Sequence, residues 1–198
     1  MDPGSDADKC FMNSRINTVR LSVRLDRDPR RVITKPFLPG EETFPDGQSR
    51  VEKVLHRVIA LENNEVGPAL TFVLDRFMDR HRDLRSILQQ SYQMIADRVT
   101  GLPKMSEDRK LLVGAYFTHE YSIEAAALFN PSMVPDPDQT GAAPDETRIL
   151  LSLRAVGEGH ISSIEFRSGV VNDRGELRFD PVSKFASTGQ RRSPTFDR

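Results

Sequence analysis

Cysteine is almost absent from this chain, and Cys10 stands alone. No disulfide can form within it, and no zinc site built on several thiolates is available. Long apolar runs are missing too. No stretch approaches the roughly 18 apolar residues that a bilayer-spanning helix requires. The first twenty residues carry Asp2, Asp6, Asp8, Lys9 and Arg15 and no apolar core, so no secretory leader is expected. Neither sign of charge dominates: 28 Lys and Arg stand against 29 Asp and Glu, and that balance points to neither nucleic acid nor a membrane surface. The one local excess, Arg27, Arg30, Arg31 and Lys35, reads as a solvated edge. A reducing cytoplasm is the expected location.

What is present suffices for a core. The chain has 198 residues, room for one ordinary domain or for a small domain plus part of another. Its hydrophobic share of 37% is lean, so part of the chain is expected to stay unpacked.

The periodicities divide the chain in two. Residues 1–17 are polar. Val19 to Leu25 alternates apolar and polar, which predicts a half-buried strand, and Val32-Ile33-Thr34 predicts a second, short one. Pro36, Pro39, Gly40, Pro45 and Gly47 mark a loop. Four helical stripes follow: Val51, Val54, Leu55 and Val58; Val66, Leu70, Val73, Leu74 and Phe77; Leu84, Ile87, Leu88, Ile95 and Val99; Leu111, Leu112, Ala115 and Tyr116. Asn63-Asn64 is placed to end the first helix and cap the second, and Ser106 to cap the fourth. Beyond His119 the pattern changes. Ile149 to Leu153 and Ile161 to Phe166 read as buried strands. Val170 to Phe179 reads as a hairpin turning at Asp173 to Gly175. Helices first and antiparallel strands second point to an α+β class or to two units. The expected divisions are an N-terminal tail with short strands over 1–47, a helical extension over 48–118, a strand-rich unit over 119–182 and an irregular tail over 183–198.

Two stretches concentrate polar groups among small residues: His119 to Ser132 and Arg154 to Arg167. A zincin site would need a second histidine four residues after His119, and Ile123 stands there. Glu120, Glu124, Glu158 and Glu165 supply carboxylates of the kind that glycosidases place in pairs across a scissile bond, but spacing does not choose among them. Gly157-Glu158-Gly159 lacks the lysine of a phosphate-binding loop and reads as a tight turn, with Arg154, Glu158 and His160 around it.

The same stretches, Gly114 to Ser132, Leu151 to Arg154 and Gly157 to Arg167, resemble glycoside hydrolase family 130, the mannoside phosphorylases and related β-mannosidases. The resemblance is specific over about Leu111 to Pro181 and looser over the helices. It implies a five-bladed β-propeller whose first blade is formed by Phe129 to Phe179, preceded by a helical extension. It further implies that Glu120, Glu124, Asn130, Arg154, Glu158, His160 and Ser163 lie near the substrate. The implied chemistry is inverting cleavage of a β-manno-oligosaccharide, by inorganic phosphate in the phosphorylases and by water in the hydrolases. No cofactor or metal is implied beyond phosphate as co-substrate. The Asp that donates the proton in the family has no match here, so this chain is expected to be the front part of such an enzyme and to be inactive alone. A lone blade is expected to leave unpaired strand edges and an uncovered apolar face. A second expectation, of a different class, is that the four helices form a non-catalytic interaction module and a surface for homo-oligomerisation.

Overall fold

The computed structural model describes residues 20–40 and 44–187. The polar segment 1–17 and nearly all of the tail from Ser187 onward lie outside the described residues. In chain order the elements are β1 (Val32–Pro36), α1 (Arg50–Ile59), α2 (Asn63–Phe77), a 3-10 turn (Met78–Arg80), α3 (Leu84–Ala96), α4 (Glu107–Tyr116), β2 (Thr118–Ser122), β3 (Ala127–Pro135), β4 (Glu146–Val156), a second 3-10 turn (Glu158–His160), β5 (Ser162–Asn172) and β6 (Leu177–Phe179). The class is mixed α+β, with four helices and two antiparallel sheets.

The helices start where side chains can satisfy their free N–H groups. The Ser49 hydroxyl accepts from the Glu52 N–H while the Glu52 carboxylate accepts from the Ser49 N–H, a reciprocal cap on α1. Ser106 caps α4 through the Arg109 N–H, as its position predicts. The α2 cap departs from expectation: Glu62 holds that position, with Glu65 closing the box. Asn63 is instead drawn away to accept from Arg109 Nη2 at 2.9 Å. Arg109 also donates to the carbonyls of Val58, Ile59 and Leu61, which a helix C-terminus leaves without partners. A buried arginine thus closes α1 from the side of α4.

The helical core is formed by the predicted stripes. Leu55, Val58, Val66, Ile95, Leu112, Val113 and Phe117 make one cluster, and Leu70, Leu74, Leu84, Leu88 and Leu111 an adjoining one. At Gly114 the backbone of α3 comes so close that a Cβ would lie 1.9 Å from the Leu88 carbonyl oxygen. Glycine is what lets α3 and α4 pack at this distance.

β1 pairs antiparallel with β2, from Val32 opposite Ser122 to Pro36 opposite Thr118. The other four strands form a separate sheet in the order β3-β4-β5-β6, each antiparallel to the next. Register fixes two faces. Leu151 lies opposite Arg167, Leu153 opposite Glu165 and Ala155 opposite Ser163, which puts all six on one side, and Ile149, Leu151, Leu153 and Ala155 are buried there. The other side carries Val134, Leu150, Ser152, Arg154, Ile164 and Phe166.

Two predicted strands change character. Residues 20–25 form no strand, and Leu21 and Val23 are exposed; Val19 lies outside the described residues. Alternation supplies a pattern, but without a partner edge it supplies no ladder. The stretch Ile161 to Phe166 does enter a strand from Ser162, yet Ile161, Ile164 and Phe166 are exposed rather than buried, because Ile164 and Phe166 lie on the side of β5 opposite the one that packs with Leu151 and Leu153. The expected hairpin is present: Gly175 takes a left-handed φ of 76°, and the Asn172 side chain accepts from the N–H groups of Arg174 and Glu176.

Candidate functional site

The seven residues singled out in the sequence fall into two groups. Asn130, Arg154, Glu158 and His160 gather at one end of the four-stranded sheet. Arg154 lies opposite Phe129 across the β3–β4 ladder, and its guanidinium sits 5.5 Å from the centre of that ring. Its Nε and Nη2 lie 3.2 and 3.1 Å from Ser162 Oγ. Asn130 follows Phe129 at the irregularity in the ladder and takes a left-handed φ of 53°, which re-aims the strand there. The ladder between β4 and β5 closes at Val156 and Ser162, so Gly157 to Ile161 form the connecting turn. Gly159 and His160 are left-handed in it, and Glu158 and His160 are exposed.

This turn is anchored from below. The Tyr121 hydroxyl donates to the Ile161 carbonyl at 3.0 Å. Burial, reinforced by the charge of Glu158, pushes the Tyr121 phenol above its ordinary pKa, which keeps the donor protonated. A Cβ at Gly157 would lie 2.3 Å from the Ser122 carbonyl oxygen and 2.6 Å from the Tyr121 hydroxyl. Gly157 is thus the residue that lets the turn sit on β2.

The remaining three nominated residues lie elsewhere. Ser163 faces the covered side of the sheet, and its buried Oγ has no hydrogen-bond partner. Glu120, on β2, pairs with Arg80 at 2.9 Å and with His81 Nε2 at 2.7 Å. Glu124 is completely buried. Its Oε1 lies 2.9 Å from Arg31 Nε and 2.6 Å from Arg167 Nη2, and its Oε2 accepts from the Asp28 N–H at 3.0 Å. Arg31 also reaches Glu165 at 3.1 Å and the Ser183 carbonyl at 2.7 Å. Arg167 lies 3.6 Å from Glu165. Two guanidiniums and two carboxylates therefore interlock between the segment before β1 and the covered face of β5. A cleft of about 630 Å³ opens beside them, with Asp26, Asp79, Arg80 and Lys184 in its walls.

Arg31 corrects the reading of its neighbourhood as a solvated edge. Arg30 does fit that reading, at 82% side-chain exposure and paired with Asp28, and Arg27 donates to the Ala125 carbonyl at the surface. Arg31 is buried. Sequence reasoning gave no role to Arg167, Tyr121 or Ser162, and it read Arg31 as solvated. One signal was available for Arg167: with Glu165 it places opposite charges two residues apart on one strand face, the side that the Leu151 and Leu153 pattern buries.

Among the described residues no three His, Cys, Asp or Glu side chains gather as a metal-binding set, and no helix is long and apolar enough to cross a membrane. No family model, curated protein or solved structure matches the chain.

Proposed function

We propose that the β3–β6 sheet is one blade of a propeller-type carbohydrate-active protein that cleaves β-mannosides with inversion. Its Asn130, Arg154, Glu158 and His160 end then faces the sugar or the attacking phosphate. The observation that carries this reading is the placement of Arg154. Its guanidinium is exposed, oriented by Ser162 and Phe129, and has no carboxylate partner among the described residues. An oriented, unneutralised guanidinium beside polar turn residues suits a phosphate or vicinal hydroxyl groups. Two further points support the reading. A four-stranded antiparallel meander in chain order is the unit from which propeller blades are made. Four of the seven residues that the resemblance nominates, Asn130, Arg154, Glu158 and His160, also lie at one end of it.

Glu124 takes a positioning role in this reading, since both of its oxygens are engaged by protein groups. Glu120 and Ser163 likewise serve the scaffold. The experiment is a titration of the isotopically labelled chain with inorganic phosphate and with a β-manno-oligosaccharide. Amide shifts are expected at Arg154, Ser162 and Gly157 to Ile161, and Arg154→Ala should abolish them. Shifts confined to other residues would refute the assignment. Phosphate-dependent turnover by the chain is expected to be negligible, because the proton-donating Asp has no counterpart in it.

A second reading, in which the helices act as a non-catalytic oligomerisation surface, is favoured by Phe72. It is 57% exposed on α2 with Arg76 stacked 4.2 Å from its ring. Self-association that is lost in Phe72→Asp would support it.

A further inference from the structure

We propose that a pocket in the helical half binds a small, largely apolar molecule bearing one uncharged hydroxyl group, and that His81 receives that hydroxyl. The pocket, of about 290 Å³, lies where α2, α3 and α4 meet β1 and β2. Val73, Phe77, Leu84, Leu88 and Ala115 form its apolar wall. Thr34, His81, Thr118, His119 and Glu120 supply its polar groups. It shares no residue with the Arg154 end of the sheet, so this inference does not rest on the sugar-site reading.

Most of those polar groups are already engaged. Glu120 Oε1 lies 2.9 Å from Arg80 Nη2, and Glu120 Oε2 lies 2.7 Å from His81 Nε2. Thr118 Oγ1 is 2.7 Å from Ser91 Oγ and 2.8 Å from the Gly114 carbonyl oxygen. His119 is exposed. His81 differs from all of these. Its side chain is only 5% exposed, yet Nδ1 has no hydrogen-bond partner among the described residues. A carboxylate only accepts, so the hydrogen shared with Glu120 sits on Nε2, and Nδ1 of the neutral imidazole keeps its lone pair. An acceptor on a side chain this buried gains little from solvent, and a ligand that supplies the missing donor is favoured. The Thr34 hydroxyl, also in the wall, has no partner among the described residues either.

Volume and charge select the class of ligand. Sites for drug-sized molecules begin at about 300 Å³, and a dry cavity of about 150 Å³ already takes benzene. A single ring with one or two small substituents therefore fits. The Glu120 carboxylate disfavours an anionic head group. Both of its oxygens are occupied by Arg80 and His81, so an ammonium would enter apolar surroundings with no uncommitted counter-charge. A neutral O–H donates to Nδ1 and brings no charge with it. A phenol or a cyclic alcohol meets all three conditions.

The experiment is a nuclear magnetic resonance titration of the isotopically labelled full chain with p-cresol and, separately, with toluene, which has the same ring and methyl group but no hydroxyl. With p-cresol, saturable shifts are expected at the His81 imidazole and at the methyl groups of Val73, Leu84 and Leu88, with a Kd of about 1 mM or tighter. Toluene should bind the same pocket about fivefold more weakly, the worth of one hydrogen bond. His81→Phe fills the same space without an acceptor and should erase the preference for p-cresol. Ala115→Leu, which fills the pocket from its apolar wall, should abolish binding of both; circular dichroism verifies that each variant is folded. If His81→Phe does not fold, the comparison of the two ligands on the wild type and the Ala115→Leu result decide the matter. Absence of saturable shifts at these residues would overturn the proposal. So would equal affinity for p-cresol and toluene, a preference that survives in folded His81→Phe, or undiminished binding by folded Ala115→Leu.

Discussion

Glu124, Arg31 and Arg167 show what burial does to a charged residue. Each is removed from water, and each is tolerable only because the others are in contact with it. Taking away the shared carboxylate leaves two guanidiniums buried side by side. Glu124→Gln is therefore expected to lower stability by about 3–5 kcal/mol, the cost of breaking a buried ion pair by removing one partner. Urea unfolding measures it, and a loss under about 1 kcal/mol would show that the network contributes little. Gly114 poses a packing problem of the same local kind. Gly114→Ala would press a methyl group against the Leu88 carbonyl, a backbone atom that cannot rotate away. The expected cost is about 1–3 kcal/mol, or more if α3 and α4 must separate. A neutral result would mean that the two helices shift freely.

At the scale of elements, the start of α1 links capping to pH. The backbone N–H and hydroxyl of Ser49 hold the Glu52 carboxyl below its ordinary range. The Asp28 carboxyl is lowered by the Arg30 guanidinium, and the Asp46 carboxyl by the Lys53 ammonium. All three shifts have one sign. A carboxyl whose folded pKa lies below its unfolded value stabilises the native state above the unfolded value, about 4 for Asp and Glu, and loses that contribution as pH falls through the folded value. Thermal stability should hold from neutral pH to about 5 and decline below about 4. A melting temperature that rises on acidification below pH 4 would contradict this. Ser49→Ala should remove about 1 kcal/mol at neutral pH and also flatten the acid decline. The helices were legible because their apolar stripes repeat at a local period, and Ser106 was legible because a cap lies within three residues of the group it satisfies. Residues 20–25 were misread because alternation describes a strand's sides and not its partner. The cap of α2 was misread because Arg109, 46 residues away, competes for Asn63.

For the molecule as a whole, the decisive question is what joins the helical half to the four-stranded sheet. The helical core closes on itself. The named links across the divide are Arg31 to Glu165, Glu124 to Arg167 and Tyr121 to Ile161. Arg31→Ala is thus expected to split calorimetric unfolding into two transitions, with the sheet melting first. A single transition at reduced temperature would mean that the halves fold as one unit regardless. The candidate ligand end depends on the same links, since the turn carrying Glu158 and His160 rests on β2 through Gly157 and Tyr121.

The sequence by itself determined the α+β order, the four helical stripes, the hairpin at Gly175 and the gathering of Arg154, Glu158 and His160 around one turn. Those features follow from periodicity and turn chemistry, which act over a few residues. Only the tertiary structure decided that Glu124 is a buried brace, that Arg31 is buried while Arg30 is exposed, and that Ile164 and Phe166 lie on an open face. Such outcomes depend on which groups meet across long loops, Arg31 and Glu165 being 134 residues apart, and no local pattern carries that information.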